Sequence, residues 1–230
     1  MSAATKSIQW YLENYSIFSY LSQEDRRVLG KIALMQPTPK DEVIYCDSDE
    51  AHSFYFIKEG KVKITRSSEG GKEMILAILG PGELFGELCL ADSQDVRQEK
   101  AITIEDSVVC LFRMSEVRKI LEENPRLTLE LTKHIGQKVR KIQRRLENLI
   151  FRTSEERVRD FLKEIAHEYG YKVANNPNEV AIPMRLTHED IGKLTATSRQ
   201  TVTSVLRNLA KADILTYDRH RVYIKNLQLL

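Results

Sequence analysis

The period of the apolar pattern changes midway along the chain, and this change constrains the fold more than any other feature. Across residues 42–112 short runs recur, "EVIYC", "SFYFIKEG", "KVKITRSS", "KEMILAIL", "AITIED" and "SVVCLF", separated by Gly, Asp, Ser and Pro. Their length, their β-branched and aromatic content and the frequent turn signals predict an antiparallel barrel or sandwich rather than βαβ units. After Arg113 the pattern becomes helical. "SEVRKILEEN" predicts a short helix that stops before Pro125, because the residue preceding a proline is pushed out of the α region.

A long helix is expected from about Pro125. Within it Ile135, Val139, Ile142, Leu146 and Leu149 follow 4-3-4-3 spacing, the seam of a two-stranded coiled coil, while the basic residues lie mostly off that seam. This predicts a homodimer; the alternative is that the seam packs only on its own barrel, and one helix can do both. Thr153 with Glu156 three residues on is a capping-box pair, and it marks the start of a new helix running to Tyr169 and Gly170. Upstream of the strands, residues 17–30 are expected to form a helix capped by Ser22, with Gly30 near its end. "YKVANNPNEV" reads as a polar loop.

A chain of 230 residues is long enough for two domains with their own cores. No stretch approaches the roughly 20 apolar residues of a membrane helix, and the N-terminal residues lack the pattern of a secretory signal, so the cytoplasm is the expected location. The widely spaced cysteines Cys46, Cys89 and Cys110 suit neither a disulfide framework nor a structural zinc site. The net charge of +2 is unevenly spread: from residue 151 onward 13 Lys and Arg face 10 Asp and Glu. A basic C-terminal region suits a polyanionic partner.

The segment "RLTHEDIGKLTATSRQTVTSVLRNLAKADIL" gives that partner a chemistry. Thr187 is placed to cap a first helix with Asp190 in the reciprocal position, Ile191 and Leu194 face inward, and "TAT" makes the turn. Ser198 caps a second helix that buries Val202, Val205, Leu206 and Leu209. Two such helices form a helix-turn-helix, whose second member enters the major groove of double-stranded DNA. Arg199 suits guanine O6 and N7, and Gln200 suits adenine N6 and N7. Thr201, Thr203 and Ser204 are short enough for phosphates or a thymine methyl, and Arg207 shares their side of the helix. "ILTYDRHRVYIK" then predicts two strands with a basic tip, a wing that sets Arg219, His220 and Arg221 against the sugar-phosphate backbone.

"SFYFIKEGKVKITR", "LGPGELFGELCL" and "HEDIGKLTATSRQTVTSVL", in this order, resemble the Crp/Fnr family of bacterial transcription regulators. The resemblance implies an α+β chain with three parts. Residues 1–124 form an effector-sensing β-barrel of the cyclic-nucleotide-binding, jelly-roll type; residues 125–151 form the dimerisation helix; residues 152–230 form a winged helix-turn-helix. It also implies an inverted-repeat operator and RNA polymerase as a partner. In members that bind cyclic AMP, a Gly-Glu-Leu turn precedes an Arg-Ser-Ala run, the Glu holding the ribose and the Arg the phosphate.

Here the turn is Gly86, Glu87 and Leu88, followed by Cys89, but Glu99, Lys100 and Ala101 stand in place of Arg-Ser-Ala. A carboxylate facing a phosphate repels it, and an ammonium cannot reproduce the bidentate Arg fork. The family's adenine-contacting Thr-Ser pair is replaced by Ile142 and Gln143. Cyclic AMP is therefore not the expected effector, which stays unknown. The alternative is a cyclic-nucleotide response in which Arg97, reached through a longer loop, serves with Glu87. No metal is expected, and no iron-sulfur cluster, since residues 1–45 contain no cysteine.

An enzyme is not expected: the chain lacks a P-loop, H-E-x-x-H and G-x-S-x-G, and the glycines of "GPGELFGE" do not open a helix. A regulatory ligand-binding subunit of a protein assembly would explain the barrel but would leave residues 185–225 without a purpose.

Overall fold

The computed structural model describes residues 15, 18, 21–90, 96–173, 176–183, 186–218 and 221–230, with backbone alone for 176–178. The chain forms two compact units, Met1–Lys141 and Ile142–Leu230.

Among the described residues the first helix of the first unit is α1 (Gln23–Ile32), where Ser22 accepts a hydrogen bond from the Asp25 amide at 3.1 Å. The helix runs past Gly30, because the Ala33 amide closes a further turn onto Leu29 O at 2.9 Å. Among the described residues eight strands follow: β1 (Leu34–Thr38), β2 (Val43–Tyr45), β3 (Ser53–Glu59), β4 (Val62–Ser67), β5 (Glu73–Leu79), β6 (Leu84–Phe85), β7 (Lys100–Thr103) and β8 (Ser107–Arg113). They make two antiparallel sheets, ordered β1-β8-β3-β6 and β2-β7-β4-β5.

Side chains on a strand alternate between faces, and β3 buries both. Tyr55 and Ile57 join Ile64, Ala101 and Val109 between the two sheets. Phe54 and Phe56 face the other way, packing with Leu29, Phe112, Val117, Ile120 and Leu127 from the strands and the helices that cover them. That double burial is why "SFYFI" reads as an unbroken apolar run. The run "LMQPT" carried no comparable signal: β1 is an edge strand, its first four residues are exposed, and it holds Pro37, which edge positions tolerate.

Helix α2 (Met114–Glu123) ends at Asn124, and Pro125 opens α3 (Pro125–Phe151), where its missing amide removes no intrahelical bond. Leu127 and Leu131 of α3 are buried, whereas Val139, Ile142, Leu146 and Leu149 are 47–65% exposed.

The second unit contains α4 (Ser154–Tyr169), β9 (Tyr171–Val173), β10 (Asn176–Ile182), α5 (His188–Thr195), α6 (Arg199–Lys211), β11 (Leu215–Tyr217) and β12 (Val222–Ile224). The Thr153 and Glu156 capping box is formed as expected. Gly170 closes α4 in an extended conformation, and its small size is needed because a Cβ there would lie 2.2 Å from Ala166 O.

The polar loop expected in "YKVANNPNEV" is instead a pair of strands in a sheet ordered β11-β12-β10-β9. Val180, Ala181 and Ile182 pair with Ile224, Tyr223 and Val222, partners some forty residues away, so local turn residues gave the wrong signal. A register shift between Asn176 and Val180 absorbs the Asn- and Pro-rich stretch. Among the described residues no helix is long and apolar enough to cross a membrane.

Candidate functional site

Helix α5 is capped at its start and meets α6 through a short turn. Thr187 accepts from the Asp190 amide at 3.0 Å, and the Asp190 carboxylate accepts from the Thr187 amide at 3.1 Å. Thr195, expected in the turn, is the last residue of α5; it is buried, and its hydroxyl donates to Ile191 O at 2.7 Å. Ala196 takes the left-handed conformation, φ 50°, and the Thr197 amide donates to Gly192 O at 2.9 Å. A Cβ on Gly192 would lie 2.8 Å from Thr197 O, so this close approach requires glycine. Leu194 is only half-buried, leaving Ile191, Gly192 and Thr195 as the inner face.

Arg157 of α4 grips the same turn. Its guanidinium donates to Thr195 O at 2.8 Å and Ala196 O at 3.0 Å, and also to Arg152 O at 2.9 Å, at the end of α3. No short-range pattern announces this contact, which spans 38 residues.

Ser198 caps α6 by accepting from the Thr201 amide at 3.0 Å, and the two hydroxyls pair at 2.9 Å, so both side chains serve the helix start. Val202, Val205, Leu206 and Leu209 are buried as expected. On the opposite side Arg199, Gln200, Thr203, Ser204 and Arg207 line one open depression, with all but Thr203 exposed. His188, overlooked in the sequence, reaches this face: its Nδ1 lies 2.8 Å from Thr203 Oγ1. Strands β11 and β12 form the predicted hairpin, closed by the Asp218 amide on Arg221 O at 3.0 Å. Arg221 is exposed; Arg219 and His220 lie outside the described residues.

The first unit gathers a second polar cluster. Arg97 is 7% exposed, and its guanidinium lies 3.9 Å above the Tyr45 ring and 2.5 Å from Ser53 O, to which it donates. It also backs onto the glycine turn, since a Cβ on Gly86 (φ 72°) would lie 2.8 Å from Arg97 Nη1. Tyr55 and Phe85 stack with ring centroids 5.0 Å apart beside it.

Glu87 faces Lys138 of α3, whose Nζ donates to it at 2.8 Å and to Leu84 O at 2.8 Å. Glu99 accepts from the Tyr45 hydroxyl at 2.7 Å. Burial pushes the Cys89 thiol up to about 11, so it stays protonated near neutral pH despite the opposing pull of Arg97. His134, one turn from Lys138, is held below the ordinary imidazole range, first by burial and then by that ammonium.

Of the candidate effector residues, the structure therefore brings together Gly86, Glu87, Cys89, Arg97 and, through Tyr45, Glu99. Leu88 is 65% exposed, Lys100 is half-exposed at the start of β7, and Ala101 is buried between the sheets. Ile142 and Gln143 belong to the second unit and are exposed. Among the described residues no group of three or more His, Cys, Asp or Glu is placed to hold a metal ion.

Residues 35–124 match the cyclic nucleotide-binding domain family, and residues 156–230 match the Crp-like helix-turn-helix domain family. The chain is 27% identical over 198 residues to a CRP-like cAMP-activated global transcriptional regulator of Mycobacterium tuberculosis, covering 85% of this chain and 87% of that one. It is 28% identical over 193 residues to a cyclic AMP receptor protein of Thermus thermophilus, covering 84% of each. Its fold is similar to that of FixK2 from Bradyrhizobium japonicum, with a TM-score of 0.75, 24% identity and coverage of 86% of this chain and 95% of that one. With a cyclic nucleotide-binding domain followed by a DNA-binding helix-turn-helix, the chain belongs to the Crp/Fnr family of transcription regulators.

Proposed function

We propose that the chain acts in the cytoplasm as a homodimer that binds an inverted-repeat operator and is controlled by a small effector bound near Glu87. The carrying observation is the apolar stripe of α3: Val139, Ile142, Leu146 and Leu149 keep coiled-coil spacing yet are 47–65% exposed. Packing two such stripes together buries them and duplicates α6 about a two-fold axis, so the operator half-sites lie about one helical turn, ~34 Å, apart. Arg199 and Gln200 read bases, Ser204 and Arg207 flank them, and Arg221 contacts the backbone. Thr187, Ser198 and Thr201 hold the helix ends that present these groups. RNA polymerase is a further partner in this reading.

The test is sedimentation together with selection of bound DNA from a random pool. The expected result is a dimer that enriches an inverted repeat with that spacing; a monomer, or enrichment of direct repeats, overturns the proposal.

The effector in this reading is not cyclic AMP, because Glu99 occupies the place of the phosphate-binding Arg and Ile142 that of an adenine-contacting hydroxyl. The position of Arg97 favours a second reading, a cyclic nucleotide held by Glu87 and Arg97, because the guanidinium reaches the Gly86 turn. Thermal melts separate the two. A cyclic nucleotide at 100 times its Kd adds ~2.7 kcal/mol to the native state. A shift with cyclic AMP that disappears in Arg97→Gln supports the second reading, and no shift supports the first.

A further inference from the structure

Thr203 sits midway along the open face of α6, and its hydroxyl is already committed. The hydroxyl proton is donated to Arg199 O at 2.8 Å, and a carbonyl has no proton to return. The same oxygen lies 2.8 Å from His188 Nδ1. A hydroxyl carries one proton, so this second bond must run from an Nδ1–H to Thr203. His188 is braced in turn by Tyr217, edge to face, with ring centroids 5.8 Å apart. Burial, and then the charge of Arg199, hold the His188 ring below its ordinary titration range and so favour its neutral form. The contact with Thr203, whose own proton is committed to Arg199 O, selects the tautomer that carries hydrogen on Nδ1. The Thr203 hydroxyl therefore has no proton left for a base. It keeps one lone pair, and its γ-methyl is the remaining branch at Cβ.

Among the four base-pair orientations only those containing thymine present a methyl in the major groove. Guanine O6 and N7, adenine N7 and thymine O4 are acceptors and need the donor that Thr203 lacks. Adenine N6 and cytosine N4 are both donors that suit the remaining lone pair, so the hydroxyl does not tell them apart and the methyl group carries the selection. From this geometry we infer that Thr203 is a specificity-determining residue that selects a thymine in each half-site through its methyl group, with His188 pinning the hydroxyl. The inference rests on α6 being the recognition helix, as proposed above.

The experiment uses the full chain and an operator enriched from a random pool. Each thymine is replaced singly by deoxyuridine, which removes the methyl and leaves the base-pairing edge intact. One thymine per half-site is expected to lose about fourfold in affinity, the factor given by ~0.8 kcal/mol for burying one methyl-sized group. Thr203→Val, which keeps the methyl and drops the hydroxyl, retains that penalty. Thr203→Ser, which does the reverse, binds the thymine and uracil operators equally. Melting temperatures near that of the parent show that both variants are folded. Indifference to uracil at every position, or a penalty that survives in Thr203→Ser, overturns the inference while leaving the DNA-binding reading intact. Failure to enrich any operator overturns the reading of α6 and this inference with it.

Discussion

The outer face of α6 and the corner around Glu87 both gather charged side chains, but the two leave them in opposite conditions. Arg199, Gln200, Ser204 and Arg207 remain exposed on a helix whose start is already capped by Ser198. Around the glycine turn Glu87 has taken Lys138, Glu99 has taken the Tyr45 hydroxyl, and Arg97 lies between Ser53 O and an aromatic face. In the proposed reading a duplex meeting α6 finds these side chains already exposed. A ligand entering the corner must displace protein groups from one another, and that reorganisation subtracts from its affinity. The face of α6 is left open, while the corner is satisfied by itself.

The largest effect is expected at Arg199. Arg199→Ala should reduce the ratio of operator to non-specific affinity about fivefold to 150-fold, the range corresponding to ~1–3 kcal/mol for a bidentate base contact. Competition binding reads this ratio, and sedimentation should show an unchanged dimer.

Lys138→Met sharpens the contrast from the other side. It leaves Glu87, whose side chain is 12% exposed, without its ammonium. The expected cost is about 1–3 kcal/mol, a drop of several degrees in melting temperature. The double variant Glu87→Gln with Lys138→Met should recover most of that loss, because no unpaired charge is left behind. Gln200→Ala, on the open face, should change stability by less than about 0.5 kcal/mol.

The smallest effect is a pH slope. The native fold disfavours the His134 imidazolium, whose ordinary value is 6.5. Above that value both states are neutral and nothing is lost. As pH falls below it the unfolded chain takes up the proton first, so stability declines until the native form protonates as well. His188 is shifted in the same direction and adds to the trend. His134→Gln should flatten the difference between melts at about pH 7.5 and about pH 5.5, and an unchanged difference would count against a buried imidazole.

The same contrast separates what is legible in the sequence from what is not. Ser22, Thr153, Thr187 and Ser198 each cap a helix within three residues of their partners, so their signals are local. The double burial of β3 is likewise written into consecutive apolar residues. The exposed side chains of α6 follow from helical period alone. The corner is different: Lys138 and Glu87 are 51 positions apart, and Tyr45 and Glu99 are 54 apart. No periodicity links such pairs, and the pairing of β10 with β12 escaped for the same reason. The contact of His188 with Thr203 spans a helix-helix packing that only the folded turn creates.

One guanidinium, that of Arg157, bonds both Arg152 O, just beyond the long helix, and the turn between α5 and α6. A single side chain therefore ties the backbone at residue 152 to the turn that precedes α6. Altered backbone at 152–154 should retune operator fit from a distance, as a change at the wrist alters where a finger points.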